Sequence, residues 1–117
     1  MVSEQLDRDY LESMVESVGR EFLLLLLTKF REDEVAKIDA LESLTATADG
    51  DDSWRKTAHS ICSTSRTMGA AELAALAKTI ETLTEGTMPE ARAELVSQVR
   101  PCFEAATEAL EAYLSDG

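Results

Sequence analysis

The sequence predicts an all-α protein: an up-and-down four-helix bundle with a short extra helix at its N-terminus. Apolar residues recur at three- and four-residue spacing along almost the whole chain, and no segment alternates between apolar and polar residues as a strand does. The connections between periodic segments are short, so neighbouring helices are expected to pack antiparallel. At 117 residues, we expect a single domain over residues 1–117.

The first two helices are predicted over about residues 4–17 and 20–46, with Gly19 as the break between them. The run Phe22–Leu27 is the most apolar stretch, but its six residues are far fewer than the roughly 20 that cross a bilayer. We therefore expect it to be a core segment. The polar middle of the second helix, REDEVAK, predicts unequal burial of its two ends. The expected inward residues are Leu6, Tyr10, Met14 and Val18, then Leu23, Leu26, Leu27, Phe30, Ile38, Leu41 and Leu44.

A loop, TADGDDSW, separates these helices from the rest, and its Asp51, Asp52 and Ser53 are placed to cap the third helix. That helix is predicted to run to about Met68, where Gly69 ends or bends it. A fourth helix is expected over about residues 70–85, with Gly86 as its stop. Its apolar stripe is Leu73, Leu76, Ile80 and Leu83.

The last helix is predicted to begin at the capping box Thr87–Glu90, with Pro89 in its first turn, and to run to about Leu114. Pro101 should kink it, because proline cannot bond to the Ser97 carbonyl. The alternative is two helices that meet there. The expected inward residues are Leu95, Val99, Phe103, Ala106, Leu110 and Leu114.

Composition excludes several classes of function. The net charge is −12, whereas nucleic acids and anionic membranes bind cationic surfaces, so we expect neither partner. Cys62 and Cys102 lack the spacing of a disulfide framework or a zinc site, and the chain has one histidine, so we expect no metal and no cofactor. The polar, acidic start MVSEQLDRDY is unlike a signal peptide, and we expect a cytoplasmic protein.

Helical spacing turns the single histidine, His59, towards solvent. The residues with the 3-4-3 spacing of a buried seam are Ala58, Ile61, Ser65 and Met68, with Trp54 one turn earlier. At about 100° per residue, His59 lies roughly 160° from Ile61, the centre of the buried face. We therefore expect an exposed imidazole.

Cationic and small side chains share the predicted solvent face with His59. By the same count they are Arg55, Lys56, Ser63, Arg66 and Ala70. Residues 53–71 contain no carboxylate. An open, cationic surface suits an anionic group that arrives on another macromolecule, and a neutral imidazole can act as a nucleophile towards phosphorus through its free lone pair. The alternative, a helix face that is mildly basic by chance, stays open at this point.

The segment AHSICSTSRTMGAAELAALAKTIE (residues 58–81) resembles the central motif of histidine-containing phosphotransfer (HPt) domains. That motif has an alanine before the histidine, an aliphatic residue two positions after it, an aliphatic–Gly–Ala step and an LA-x-L…LE helix. The matching residues are Ala58, His59, Ile61, Thr64, Ser65, Met68, Gly69, Ala70, Leu73, Ala74, Leu76 and Glu81. The segment FLLLLLTKFREDEVAKIDAL also resembles the family's long second helix.

The resemblance implies that His59 carries a phosphoryl group on Nε2 between aspartates of receiver domains. Arg55, Lys56 and Arg66 would steer and partly neutralise that group. Cys62, Ser63, Gly69 and Ala70 would lie where a receiver docks. The expected partners are response-regulator receiver domains and a hybrid histidine kinase. We expect a monomeric carrier, without kinase activity of its own because the sequence has no glycine-rich nucleotide loop.

Two departures from the family pattern follow the histidine. Cys62 stands where the family usually has a lysine that neutralises the phosphoryl group, and Ser63 stands where it usually has glycine. We expect serine to be small enough for docking, and Arg66 or Arg55 to replace the lysine. A non-catalytic adaptor that binds receivers or a kinase without carrying phosphate is the alternative function. A weaker third possibility is a structural bundle without receiver partners. A Cys62–His59 thiol catalyst is not expected, since no third group orients the pair.

Overall fold

The computed structural model describes residues 5–47, 51–83 and 89–115, and these form helices and short connections without a strand. The helices are α1 (Arg8–Val18), α2 (Arg20–Thr47), α3 (Asp51–Thr67), α4 (Ala71–Glu81), α5 (Pro89–Ser97) and α6 (Val99–Ser115). The predicted all-α class is confirmed. Within the described ranges, no helix is long and apolar enough to cross a membrane.

Four helices enclose the core: α2 packs against α3 and α6, and α4 packs against α3 and α6. α5 lies before α6 in the chain and contacts α2, α4 and α6, while short α1 packs on α2. The predicted bundle with a short N-terminal helix is therefore confirmed. Its largest fully buried side chains include Leu27, Ile38, Leu41, Trp54, Ile61, Leu73, Ile80 and Leu110.

The apolar run at the start of α2 is only partly a core segment. Leu23 and Leu27 are buried, but Phe22 and Leu25 are 48% and 69% exposed. A run of six residues covers every face of a helix, and only positions four apart share the inward face. Val18, at the last position of α1 before Gly19, is also exposed, so the prediction that it faces inward is wrong.

The last predicted helix is two helices, α5 and α6, that meet at Gln98. Pro101 lacks an N–H, and its ring crowds the carbonyl of the residue four positions earlier, which is Ser97, the last residue of α5. The alternative of two helices is thus confirmed, and the break falls one turn before the proline.

The predicted caps fall partly within the described residues. α3 already begins at Asp51, so Asp52 and Ser53 lie in its first turn rather than before it. α4 ends at Glu81, before the predicted end at residue 85. The predicted stop Gly86 and the cap residue Thr87 lie outside the described residues.

Gly69 makes the tight turn between α3 and α4. Its φ is +76°, and a Cβ at this position would lie 2.8 Å from Leu11 of α1. The same turn is tied to the N-terminal segment by two hydrogen bonds, from Asp7 N to Gly69 O (2.9 Å) and from Tyr10 Oη to Thr67 O (2.7 Å). Glycine is required here for both backbone conformation and space.

We predict that Gly69→Ala lowers the free energy of unfolding by about 2 kcal/mol, because alanine adds left-handed strain and crowds Leu11. In a Leu11→Ala background the new methyl group has room, so the same substitution should cost about 1 kcal/mol less. Urea unfolding of the two single variants and the double variant measures this coupling. Strictly additive costs would contradict the Leu11 contact as a cause.

Glu34 lies in the polar middle of α2, but its carboxylate side chain has no exposed surface. The Thr64 hydroxyl of α3 donates to its Oε1 (2.7 Å), and Lys37 Nζ lies 3.2 Å from Oε2. Burial raises the pKa of Glu34 above its ordinary value of 4.5, although the bond from Thr64 and the charge of Lys37 oppose the shift. Folding therefore costs more free energy for the ionised form of Glu34 than for the protonated form.

We predict that Glu34→Gln raises the free energy of unfolding at pH 7 by about 1 kcal/mol, because the amide can still accept from Thr64 without a buried charge. With a raised folded-state pKa, the stability contributed by Glu34 is fully present below the ordinary pKa and is lost as pH rises through the folded-state value. The advantage of the variant should therefore shrink as pH falls towards 4.5. Thermal unfolding across this range measures it.

Glu32→Gln is the matched control, since Glu32 is exposed on the same helix. It removes the same charge without changing a buried group. A Glu34→Gln protein no more stable than Glu32→Gln at pH 7 would contradict a burial penalty at this site.

Candidate functional site

α3 presents His59 to solvent, as its helical spacing predicts. The side chain is 65% exposed. The opposite face of α3 is buried against the core through Trp54, Ala58, Ile61, Ser65 and Met68. His59 is thus fixed on a well-packed helix while its ring remains accessible.

Glu81, near the end of α4, holds the imidazole. His59 Nδ1 and Glu81 Oε2 are 2.8 Å apart. An ionised carboxylate is only an acceptor, so Nδ1 carries the proton and donates it to this bond. In the neutral ring the lone pair is then on Nε2, the nitrogen that Glu81 does not engage.

The register of two antiparallel helices creates this contact. The turn at residues 68–70 brings α4 back along α3, and a second contact fixes the register, from Arg55 Nη2 to the carbonyl of Leu83 (3.0 Å). Sequence reasoning assigned no role to Glu81. In the sequence, Glu81 stands at the end of the LE pattern of the fourth helix, and this position alone could have marked it. Only the pairing of α3 with α4 shows that its carboxylate reaches His59.

Lys78 is a further cation at this site that sequence reasoning did not identify. Its Nζ lies 3.8 Å from Glu81 Oε1, and its side chain is 52% exposed. Glu81 itself is only 21% exposed, and its Oε1 accepts no hydrogen bond from the described residues. The carboxylate therefore lies between an imidazole and an ammonium group.

The three predicted cations lie in different settings. Arg55 is half-buried, and its guanidinium group donates a hydrogen bond to the carbonyl of Leu83. Lys56 is exposed, and its Nζ pairs with Asp52 at 3.1 Å. Arg66 is exposed, and its side chain forms no hydrogen bond or ion pair with other described residues. Because Asp52 and Glu81 also reach this surface, it is less uniformly cationic than residues 53–71 alone suggest.

Two of the four predicted docking residues have buried side chains. Cys62 is 2% exposed, because α4 covers the flank of α3 next to Ile61. Ala70 is fully buried, because α3 ends at Thr67 and the helical angle count no longer applies beyond it. Ser63 is exposed as expected. The side chains of Cys62 and Ala70 thus present almost no surface to solvent, and a role for either residue in docking stays a prediction.

Gly69, the remaining predicted docking residue, is buried but lines a groove between α1, α3 and α4. The groove has a volume of about 460 Å³, and its walls include Tyr10, Arg66, Ala71 and Ala75. It therefore lies on the α3–α4 side of the molecule, with Arg66 at its edge.

Among the described residues, neither the thiols nor the acidic side chains form a second site. Cys62 is buried and Cys102 is half-buried; burial and the neighbouring Glu72 raise the pKa of Cys102 to about 11. In the described parts of the chain, no three histidine, cysteine or acidic side chains converge as metal ligands.

We predict that the neutral ring of His59 carries its proton on Nδ1, because Glu81 accepts it. Two-bond ¹H–¹⁵N correlation spectra report the tautomer without ambiguity, since the chain has a single histidine. Glu81→Ala should give a mixture of tautomers, whereas Glu108→Ala on the exposed side of α6 should not change the spectrum. A wild-type ring protonated on Nε2 would contradict the Glu81 contact.

Comparisons with known proteins give one finding. A model of the Hpt domain family matches residues 25–115, which is more than three quarters of the chain and includes His59, Lys78 and Glu81. Neither the curated proteins nor the solved structures contain a match.

Proposed function

Because the chain belongs to the Hpt domain family, whose members serve in histidine phosphotransfer, we propose that it is a phosphohistidine carrier of a multi-step phosphorelay. In this proposal His59 accepts a phosphoryl group from an aspartyl phosphate of one receiver domain and passes it to the aspartate of another. The observation that carries the proposal is the exposed His59 ring, held at Nδ1 by Glu81 so that Nε2 is left to react.

The proposed transfer is a single displacement at phosphorus. The lone pair of Nε2 forms the N–P bond while the P–O bond to the donor aspartate breaks, and the electron pair stays on the departing carboxylate. The Nδ1 proton remains in its bond to Glu81, whose negative charge faces the positive charge that the ring gains. Passage to the next receiver is the reverse displacement. Phosphoryl transfer depends mainly on position and charge, so an exposed residue without a cleft is chemically sufficient.

Receiver docking is proposed on the α3–α4 side of the molecule. Ser63 is exposed next to His59 and small enough to allow close approach, and Arg66 and Lys56 attract an acidic partner surface. The groove beside Arg66 offers apolar walls to a docking side chain. Any Mg²⁺ for the reaction comes with the receiver in this proposal, and the carrier works as a cytoplasmic monomer.

An adaptor that binds receivers or a kinase without carrying phosphate is the second candidate. One observation favours it: the position three residues after His59, where the family usually has lysine, is a buried cysteine. The cation that would balance the phosphoryl group is therefore missing from α3 at that position. A carrier and an adaptor share the docking surface and differ only in phosphorylation of His59.

We predict that incubation with a phosphorylated receiver domain transfers label to the protein, that the label is stable in alkali and labile in acid, and that His59→Gln abolishes it. Receiver binding should survive in the variant, since His59 is exposed and its replacement leaves the core unchanged. Gel autoradiography after acid and alkali treatment, with calorimetry of binding, measures both. Binding without label on the wild type would support the adaptor; neither binding nor label would contradict both.

A further inference from the structure

We infer that Lys78 of α4 supplies the positive charge that stabilises the phosphoryl group on His59. The inference rests on the proposed function and assigns one residue within it. It revises the expectation that Arg66 or Arg55 takes this role.

The position of Lys78 follows from the pairing of α3 with α4. His59 and Glu81 are in contact, and two antiparallel helices have the same rise per residue, so each step forward along α3 from His59 corresponds to about one step back along α4 from Glu81. Lys78 precedes Glu81 by three residues and therefore lies level with Cys62, one turn after His59. α4 thus brings an ammonium group to the level at which α3 has only a buried thiol.

Lys78 is also the cation most directly linked to the imidazole. Its Nζ lies 3.8 Å from one oxygen of Glu81, while the other oxygen is 2.8 Å from His59 Nδ1. With half of its side chain in solvent, the ammonium group can turn from Glu81 towards a phosphoryl group while Glu81 keeps its contact with His59. Two or three N–H groups of one ammonium can serve both anions.

The other cations are less suited to this role. Arg55 donates a hydrogen bond to a backbone carbonyl, and Lys56 forms an exposed ion pair with Asp52. Arg66 follows His59 by seven residues, which places its Cα about 10 Å further along α3. These residues can steer a partner over a distance, whereas Lys78 is anchored at the reacting ring.

The test uses potassium phosphoramidate, a small phosphoryl donor that needs no receiver. Nε2 of His59 forms its bond to phosphorus as the P–N bond of the donor breaks, and ammonia leaves with a proton from water. ³¹P NMR on the whole chain follows the growth of the phosphohistidine signal. Lys78→Ala should slow this growth about tenfold, and Lys78→Arg, which keeps the charge, should stay within about threefold of the wild type.

Lys29→Ala is the matched control. Lys29 is also an exposed lysine in an ion pair within its own helix, with Asp33 at 3.3 Å, but it belongs to α2. Its replacement should leave the rate within about twofold of the wild type. Equal rates for Lys78→Ala and Lys29→Ala would overturn the inference, while a wild type that gains no phosphohistidine would instead overturn the proposed function.

The tautomer spectrum separates a direct role from an indirect one. If Lys78 acts on the phosphoryl group, Lys78→Ala keeps the Nδ1 proton on His59 and only the rate falls. If the variant loses that tautomer as Glu81→Ala does, Lys78 merely positions Glu81, and the inference is overturned.

Discussion

The pairing of α3 with α4 is the constraint on which the site depends. Ala58 and Ile61 of α3 and Leu73, Ala77 and Ile80 of α4 are all buried, so the two helices meet over their whole apolar faces. Only residues 68–70 connect α3 to α4, and Leu11 packs against the turn at Gly69, so the connection leaves little slack between the two helices. A slip of one residue would present Ile80 or Thr82 to His59 instead of Glu81. Packing in the core thus determines which acid reaches the exposed ring.

The buried carboxylate of Glu34 adds a polar link behind the same helix. Through Thr64 it joins α2 to α3 five residues beyond His59, and the Thr64 hydroxyl also lies 2.9 Å from the carbonyl of Ser60. Buried polar groups of this kind are costly, but they specify how helices align when apolar contacts alone permit sliding. The core is therefore held in one arrangement by a buried carboxylate whose ionised form is costly to bury, and the bond from Thr64 offsets part of that cost.

Periodicity along one helix predicted the face of each side chain well, because that face depends only on the residue's own helix. The burial of Trp54, Ile61 and Met68 and the exposure of His59 follow from this rule. Which side chain of a neighbouring helix lies opposite a given residue depends on how the two helices pair. The positions of Glu81 and Lys78 beside His59 could therefore not be predicted. Ala70 was misplaced because the angle count was carried past the end of α3. Glu34 continues the inward spacing of Phe30 and Ile38, but it was not identified because only apolar residues were expected to face inward.

The setting of the two cysteines has a practical consequence. Cys62 is buried where α3 meets α4. Cys102 is half-buried, and because its pKa is raised to about 11, only a small fraction of its side chain is ionised to the thiolate at neutral pH. Maleimide reagents react through the thiolate at an accessible sulfur, and neither native residue offers one. A cysteine introduced at an exposed position of α5 or α6 would accept a fluorophore or spin label while the native pair stays in place. Distances from such a label to a bound partner could then be measured on the unaltered core.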